Sequence, residues 1–219
     1  MKDREFTKKE RGRAWRPKNR KIIIAAEGTN KTEKQYFQSF HDDHPGFDIE
    51  FVIKKGATDP ETMMENIDIY WEEHDEQLST NNGDAAFIVL DLDCLNKKAK
   101  IIKQLAKKSL HATFIVSNPC FEVWFLMHRQ YSTHSFADGK EVEKVLRDKR
   151  LIPNYDKTMP VYAFIKDSLN TALTNADKLE RFYNDENCDW PSNECNPRTD
   201  VPKLIRKLLD IEKSYLAGN

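Results

Sequence analysis

Glycine is scarce in this chain, with seven in 219 residues. Nucleotide-binding loops need clustered glycines, so their absence excludes two large classes. The turn Glu27-Gly28-Thr29-Asn30-Lys31-Thr32 holds one glycine and no Gly-Lys-Ser/Thr ending, which rules out a P-loop, and no glycine triplet marks a dinucleotide site. A nucleotide kinase or a dehydrogenase is therefore not expected. Long apolar runs are missing too: none approaches the roughly 20 residues that cross a bilayer, so no membrane partner is expected. The N-terminus is polar and basic with no apolar stretch behind it, which reads as no secretory signal. Cytoplasmic placement follows as the expectation, with Cys94, Cys120, Cys188 and Cys195 as reduced thiols. Cys188 and Cys195 stand seven apart without a second pair, a poor zinc pattern that favours structural thiols.

Net charge is almost absent as well, at -1 from 35 basic and 36 acidic residues. The sum hides a division. Residues 1–21 hold ten bases against Asp3, Glu5 and Glu10, so this segment carries +7 and the remainder -8. A basic arm of this kind suits phosphate contact, each contact releasing counterions, or serves as a solubilising tail. Arg11, Arg13, Arg16, Lys18 and Arg20, with Lys31 in the first turn beyond the strand, are the candidate nucleic-acid contacts.

What is present is a regular alternation. Ile22-Ile23-Ile24-Ala25-Ala26 and Ala85 to Leu90 are short continuous apolar runs, the signature of strands covered on both faces. Phe47 to Ile53 alternates, and Ala112 to Val116 is a fourth strand. Between them lie helical patterns. The first is capped by Asn30 with Glu33 and carries Tyr36, Phe37 and Phe40; the second opens at Asp59-Pro60 and carries Met63, Ile67 and Trp71. A third shows Leu95, Ala99, Ile102 and Leu105, and Asn118-Pro119 opens a fourth with Phe121, Trp124, Phe125 and His128. The order β-α-β-α-β-α-β-α demands right-handed crossovers and a mainly parallel sheet flanked by helices. From about Phe136 the strand signal ends. Glu141 to Lys149, Val161 to Tyr183 and Thr199 to Tyr215 read as helices, with a polar loop over 184–198. The predicted class is α/β with an α-helical C-terminal extension, divided as a basic arm over 1–20, an α/β core over 21–135 and a helical region over 136–219.

Ligands of open parallel sheets bind beyond the carboxyl ends of the strands. Glu27 ends the first strand there; Asp91 and Asp93 end the third and, two apart in an extended stretch, are expected on one side. Like charges so placed raise one another's pKa unless a cation intervenes. Hard divalent cations take such oxygen ligands together with phosphate, so the pattern predicts a Mg²⁺ or Mn²⁺ site for phosphodiester displacement. Acids also end strands simply as turn formers and helix caps, and Glu33 is divided between the cap and the metal. Glu122, in Ser117-Asn118-Pro119-Cys120-Phe121-Glu122, lies on the same edge as an assisting carboxylate. Cys120 beside a helix N-terminus invites a depressed pKa, but its closest base in sequence, His128, is two turns on, and cysteine catalysis is not expected.

These residues together resemble the RloB-like family: Glu27-Gly28-Thr29 with Glu33 and Tyr36-Phe37, Asp91-Leu92-Asp93, Ser117-Asn118-Pro119-Cys120-Phe121-Glu122-Val123-Trp124 with His128, then Tyr155, Lys157, Ala172, Ala176 and Asn196-Pro197-Arg198-Thr199. The resemblance spans about residues 20–210. It implies a Toprim-like core, the α/β metal-binding module of topoisomerases, primases and overcoming-lysogeny nucleases. Glu27 then stands as the Toprim glutamate and Asp91 and Asp93 as its Asp-x-Asp pair. A third acid seen in some Toprim proteins has no clear counterpart, which leaves the number of metals open. The resemblance also implies a companion ATPase and a role in prokaryotic anti-phage defence. The predicted function is a metal-dependent nuclease acting on DNA or a structured RNA. Glu27, Asp91, Asp93 and Glu122 are its catalytic candidates, the first three also its metal ligands. The alternative is a non-catalytic subunit or sensor that docks onto the ATPase through the C-terminal helices.

Overall fold

The computed structural model describes residues 19–27, 31–52, 59–148 and 150–217. Four parallel strands, β1 (Arg20–Ala26), β2 (Phe47–Phe51), β3 (Ala85–Asp91) and β4 (Ala112–Asn118), alternate with helices α1 (Lys31–Asp43), α2 (Pro60–Glu73) and α3 (Asn96–Lys108). Five more helices follow: α4 (Glu122–Met127), α5 (Gly139–Asp148), α6 (Tyr162–Ile165), α7 (Leu169–Asp185) and α8 (Val201–Ala217). The protein is thus α/β, with a mostly parallel five-stranded sheet flanked by helices, in the order β2-β1-β3-β4-β5 with β5 at Arg198–Thr199.

The continuous apolar runs are continuous because both faces of the sheet are covered. Ile23, Ala25, Ala86, Ile88 and Leu90 face α2 and α3, where Met63, Ile67, Trp71, Ala99 and Ile102 complete one core. Ile22, Ile24, Phe87 and Val89 face the other way, into a larger core with Tyr36, Phe37 and Phe40 of α1, all of α4 except Glu122, and Leu204, Ile205 and Leu208 of α8. The helices beyond residue 136 share that cluster through Val142, Leu146 and Leu179. Every residue of α4 is buried. A helix apolar at every position after Glu122 has nowhere to go but inside, and α5 and α7 pack around it. The start of α2 follows its sequence: Pro60 takes the first turn and the Asp59 carboxylate accepts from the Thr62 N–H at 2.9 Å.

Several expectations change. A fifth strand, β5 (Arg198–Thr199), pairs antiparallel to the end of β4, Asn118 opposite Arg198. Two residues are too few to carry a periodic signal, and their pairing comes from the chain folding back. The helix expected over Val161 to Tyr183 is broken at Lys166–Ser168, where the Ile165 carbonyl accepts from Ser168 Oγ at 2.8 Å and faces His128 Nδ1 at 2.9 Å. Asn118 is the last residue of β4 rather than a helix cap. Cys188 and Cys195, expected as reduced thiols, are joined as a disulfide with their Cα atoms 6.1 Å apart; the loop between them doubles back far enough to bring the sulfurs together. Cys94 and Cys120 are free. Among the described residues no helix is long and apolar enough to cross a membrane.

Candidate functional site

The carboxyl edge of the sheet collects the acids. Glu27 follows the last residue of β1, Asp91 ends β3, Glu122 opens α4 directly beyond β4, and Glu33 lies in the first turn of α1. Asp91 donates its backbone N–H to Glu27 Oε2 at 3.2 Å, which ties the first and third strand ends together. Asp93 arrives by a different route from the one its spacing suggests. The strand stops at Asp91, and Asp93 and Cys94 form a turn at φ of 54° and 57°, a left-handed conformation that residues other than Gly, Asn and Asp seldom adopt. Strand alternation therefore does not place Asp93. Its turn is held instead by its own N–H on the Pro119 carbonyl at 3.0 Å and by the Cys94 N–H on Asn118 Oδ1 at 3.3 Å.

Lys98, in the first turn of α3, bridges the group. Its ammonium lies 2.9 and 2.8 Å from the two oxygens of Glu27 and 2.9 Å from Asp93 Oδ2. Burial opposes its charge, but the contacts to Glu27 and Asp93 prevail and its pKa is raised. Asp91 has no such relief. Burial first, then the charges of Glu33, Glu122, Asp93 and Glu27, push its carboxyl well above the usual carboxylate range. Glu122, almost fully buried, accepts from the Tyr155 hydroxyl at 2.9 Å, and the same oxygen is 3.5 Å from Lys157 Nζ. Lys157 also reaches Glu143 at 3.3 Å. Burial opposes the Lys157 charge as well, but Glu122 and Glu143 outweigh it and raise its pKa.

The structure brings Glu27, Glu33, Asp93 and Glu122 within electrostatic reach of Asp91. It places Arg20 elsewhere, at the amino end of β1 on the opposite edge, where its Nε donates to the Asn82 carbonyl at 3.2 Å. Arg11, Arg13, Arg16, Lys18 and the side chain of Lys31 lie outside the described residues, as do Gly28, Thr29 and the expected cap Asn30. Lys98 and Asn118 escaped the sequence reading in these roles. A lysine in the first turn of a helix that starts beside two strand-end acids was the available signal for Lys98. Nothing local marks Asn118, whose amide Nδ2 also donates to the carbonyls of Ser192, Asn193 and Cys195 at 3.3, 3.4 and 3.0 Å.

Cysteine and histidine chemistry is disfavoured here. Burial, then Glu122 and Asp91, raise the Cys120 thiol well above its ordinary value, the reverse of the depression its position invited. His128 is buried with Nδ1 on the Ile165 carbonyl, and burial lowers its pKa to about 3. The unfolded chain takes up this proton near pH 6.5 and the fold refuses it, so the histidine costs stability as pH falls below that value. His128→Asn keeps an N–H for the carbonyl and removes the titration. Between pH 7 and pH 5 the wild type should lose about 2 kcal/mol more than the variant, read from urea unfolding at each pH.

A divalent cation suits the donor chemistry, since the residues are hard carboxylate oxygens in excess of the nearby ammonium groups. Among the described residues, however, no three or more His, Cys, Asp or Glu side chains are arranged to hold a metal ion, and Lys98 Nζ contacts both Glu27 and Asp93.

Neither a curated protein nor a solved structure matches this chain. The family described as RloB-like protein does, over residues 22–208, from the first buried residue of β1 to the middle of α8. The match takes in all of the sheet but the first two residues of β1, together with the acidic edge and the buried helix behind it, and the chain belongs to the RloB-like family.

Proposed function

We propose that this protein hydrolyses phosphodiester bonds of nucleic acid, DNA or a structured RNA, with Mg²⁺ or Mn²⁺ at the carboxyl edge of a Toprim-like sheet. The observation that carries the reading is the convergence of five carboxylates on one edge, with Asp91 held against ionisation by its burial and its neighbours. Such crowding disfavours the fold unless a cation or an anionic substrate's counterion makes use of it. Glu27, Asp91 and Asp93 would hold the metal, which when bound supplies charge stabilisation for the attacking and leaving oxygens. The remaining work falls to the chain. Glu27, facing the crevice from the first strand, accepts the proton of the attacking water. Lys98 swings from Glu27 and Asp93 towards the phosphate. Glu122, fixed by Tyr155 and Lys157, keeps negative charge behind Asp91. A partner ATPase and an anti-phage setting belong to the same proposal and rest on the family resemblance.

One observation favours the second reading, a non-catalytic subunit. Lys98 already satisfies Glu27 and Asp93. The test is direct. With Mn²⁺ the purified chain should cleave duplex DNA or transfer RNA and gain about 2.7 kcal/mol of stability at a hundred times the metal Kd. Glu27→Gln should remove both effects. A wild type that neither cleaves nor responds to Mn²⁺ leaves the subunit reading standing.

A further inference from the structure

Helix α3 reads Asn-Lys-Lys-Ala-Lys-Ile-Ile-Lys-Gln-Leu-Ala-Lys-Lys, with six lysines and no acid in 13 residues. Its buried side is Ala99, Ile102 and Leu105. Directly opposite, at helical spacing, run Lys97, Lys100, Gln104, Lys107 and Lys108, all exposed. Lys98 turns aside to the acids and Lys103 pairs with Asp189. Among the described residues the four ridge lysines have no ion pair or hydrogen bond.

We propose that this ridge is the track along which the phosphodiester backbone of a nucleic acid leaves the acidic crevice. The inference rests on the hydrolase reading of that crevice and names the surface that would hold its substrate. Three features favour a polyanion over plain solvation. A solvated helix face ordinarily mixes both signs, and this one does not. Lys97 and Lys98 sit in the first turn, where cations oppose the helix dipole, and Leu95 supplies no side-chain cap there. The helix therefore carries charge where its own stability disfavours it. Position is the third feature. The first turn touches Glu27 and Asp93 through Lys98, so the ridge begins at the site and runs back along the sheet for roughly 16 Å at 1.5 Å per residue. That length spans about five phosphates of one strand at roughly 3.4 Å each. An acidic crevice repels a polyanion everywhere except at its cations, and the ridge supplies continuous positive potential beside it.

Binding is to be measured on the full chain by fluorescence anisotropy, with EDTA present so that nothing is cut. The probes are a labelled duplex DNA and a labelled RNA hairpin, titrated over a range of salt. Lys97→Gln, Lys100→Gln and Lys107→Gln together should weaken whichever probe the wild type binds by about tenfold or more at low salt. The slope of log K against log salt should fall by about 2 to 3, near 0.9 for each phosphate that the variant no longer neutralises. A control with Lys140→Gln, Lys144→Gln and Lys178→Gln, three exposed lysines on α5 and α7, should bind like the wild type. The track is overturned if the ridge variant binds normally, or if the control loses as much. A wild type that binds neither probe overturns the nucleic-acid reading itself, whereas normal binding by the ridge variant removes only the track.

Discussion

Asp91→Asn should abolish cleavage and make the protein more stable at neutral pH. The two effects have one cause. Asp91 is pushed towards its neutral form by burial and by four neighbouring carboxylates, so its ionised form is a liability in the metal-free fold. The sign follows from linkage. The folded pKa lies above the unfolded value of about 3.9, so the destabilisation is absent below that value and grows as pH rises towards the folded pKa. An amide of the same shape carries none of it. The variant should match the wild type near pH 3.5 and exceed it at pH 7 in EDTA by about 1–2 kcal/mol, which is roughly 2–8 °C for a chain of this size. Activity with Mn²⁺ should fall at least about 100-fold, because even groups one bond removed from a metal ligand are worth 10- to 100-fold. Asp93→Asn serves as the contrast. Asp93 is half-exposed and paired with Lys98, so its loss should bring little or no gain in stability. A less stable Asp91→Asn at pH 7 would sink this account of the crevice.

The second large effect is structural and lies one step behind the acids. Asn118 is fully buried, and its amide joins three pieces of chain: the Asp93–Cys94 turn, the end of β4 and the 192–195 loop. Asn118→Leu keeps the branched outline of the side chain and removes every one of these bonds. The Cys94 N–H and the Cys195 carbonyl, the latter in a fully buried residue, are then left without this partner. At about 1–3 kcal/mol for each buried group so stranded, the loss should be about 3 kcal/mol. A urea titration should show a lower midpoint at unchanged m-value. The consequence reaches the site as well. Asp93 and Cys94 hold positive φ, a conformation that persists only when its surroundings over-determine it. With Asn118 gone the turn relaxes and Asp93 leaves Lys98. Mn²⁺ affinity should therefore fall in Asn118→Leu, although Asn118 lies behind the ligands and its amide is already committed to the turn and the loop. Unchanged stability and unchanged Mn²⁺ binding together would show that the tether is dispensable.

How much of this was legible beforehand differs by element. β1 and β3 follow from continuous apolar runs that a doubly covered sheet explains, β2 from its alternation and the helices between from their apolar spacing, and the structure builds them. The Asp59-Pro60 start of α2 was equally plain, because a cap is a local event between residues three apart. The edge on which Glu27, Asp91 and Glu122 meet was legible for the same reason: in a parallel sheet the chain order alone sends all strand ends of one kind to one side. The lysines of α3 could be counted in the sequence, but their meaning required knowing which residues face the sheet and where the helix begins.

The remainder depended on contacts between distant residues. Asp93 was expected from strand alternation and is instead held in a left-handed turn by Pro119 and Asn118. Lys98 closes on Glu27 across 71 residues, Tyr155 on Glu122 across 33, and Asn118 on Cys195 across 77. β5 exists only because β4 offers it an open edge. By itself, then, the sequence determined the class of fold, the edge at which the acids gather and which acids reach it, since periodicity and connectivity are short-range properties. Only the tertiary structure decided how those acids are charged, held and neutralised. A carboxylate's pKa and a lysine's partner depend on burial and on distances of about 3 Å between segments that local patterning does not bring together.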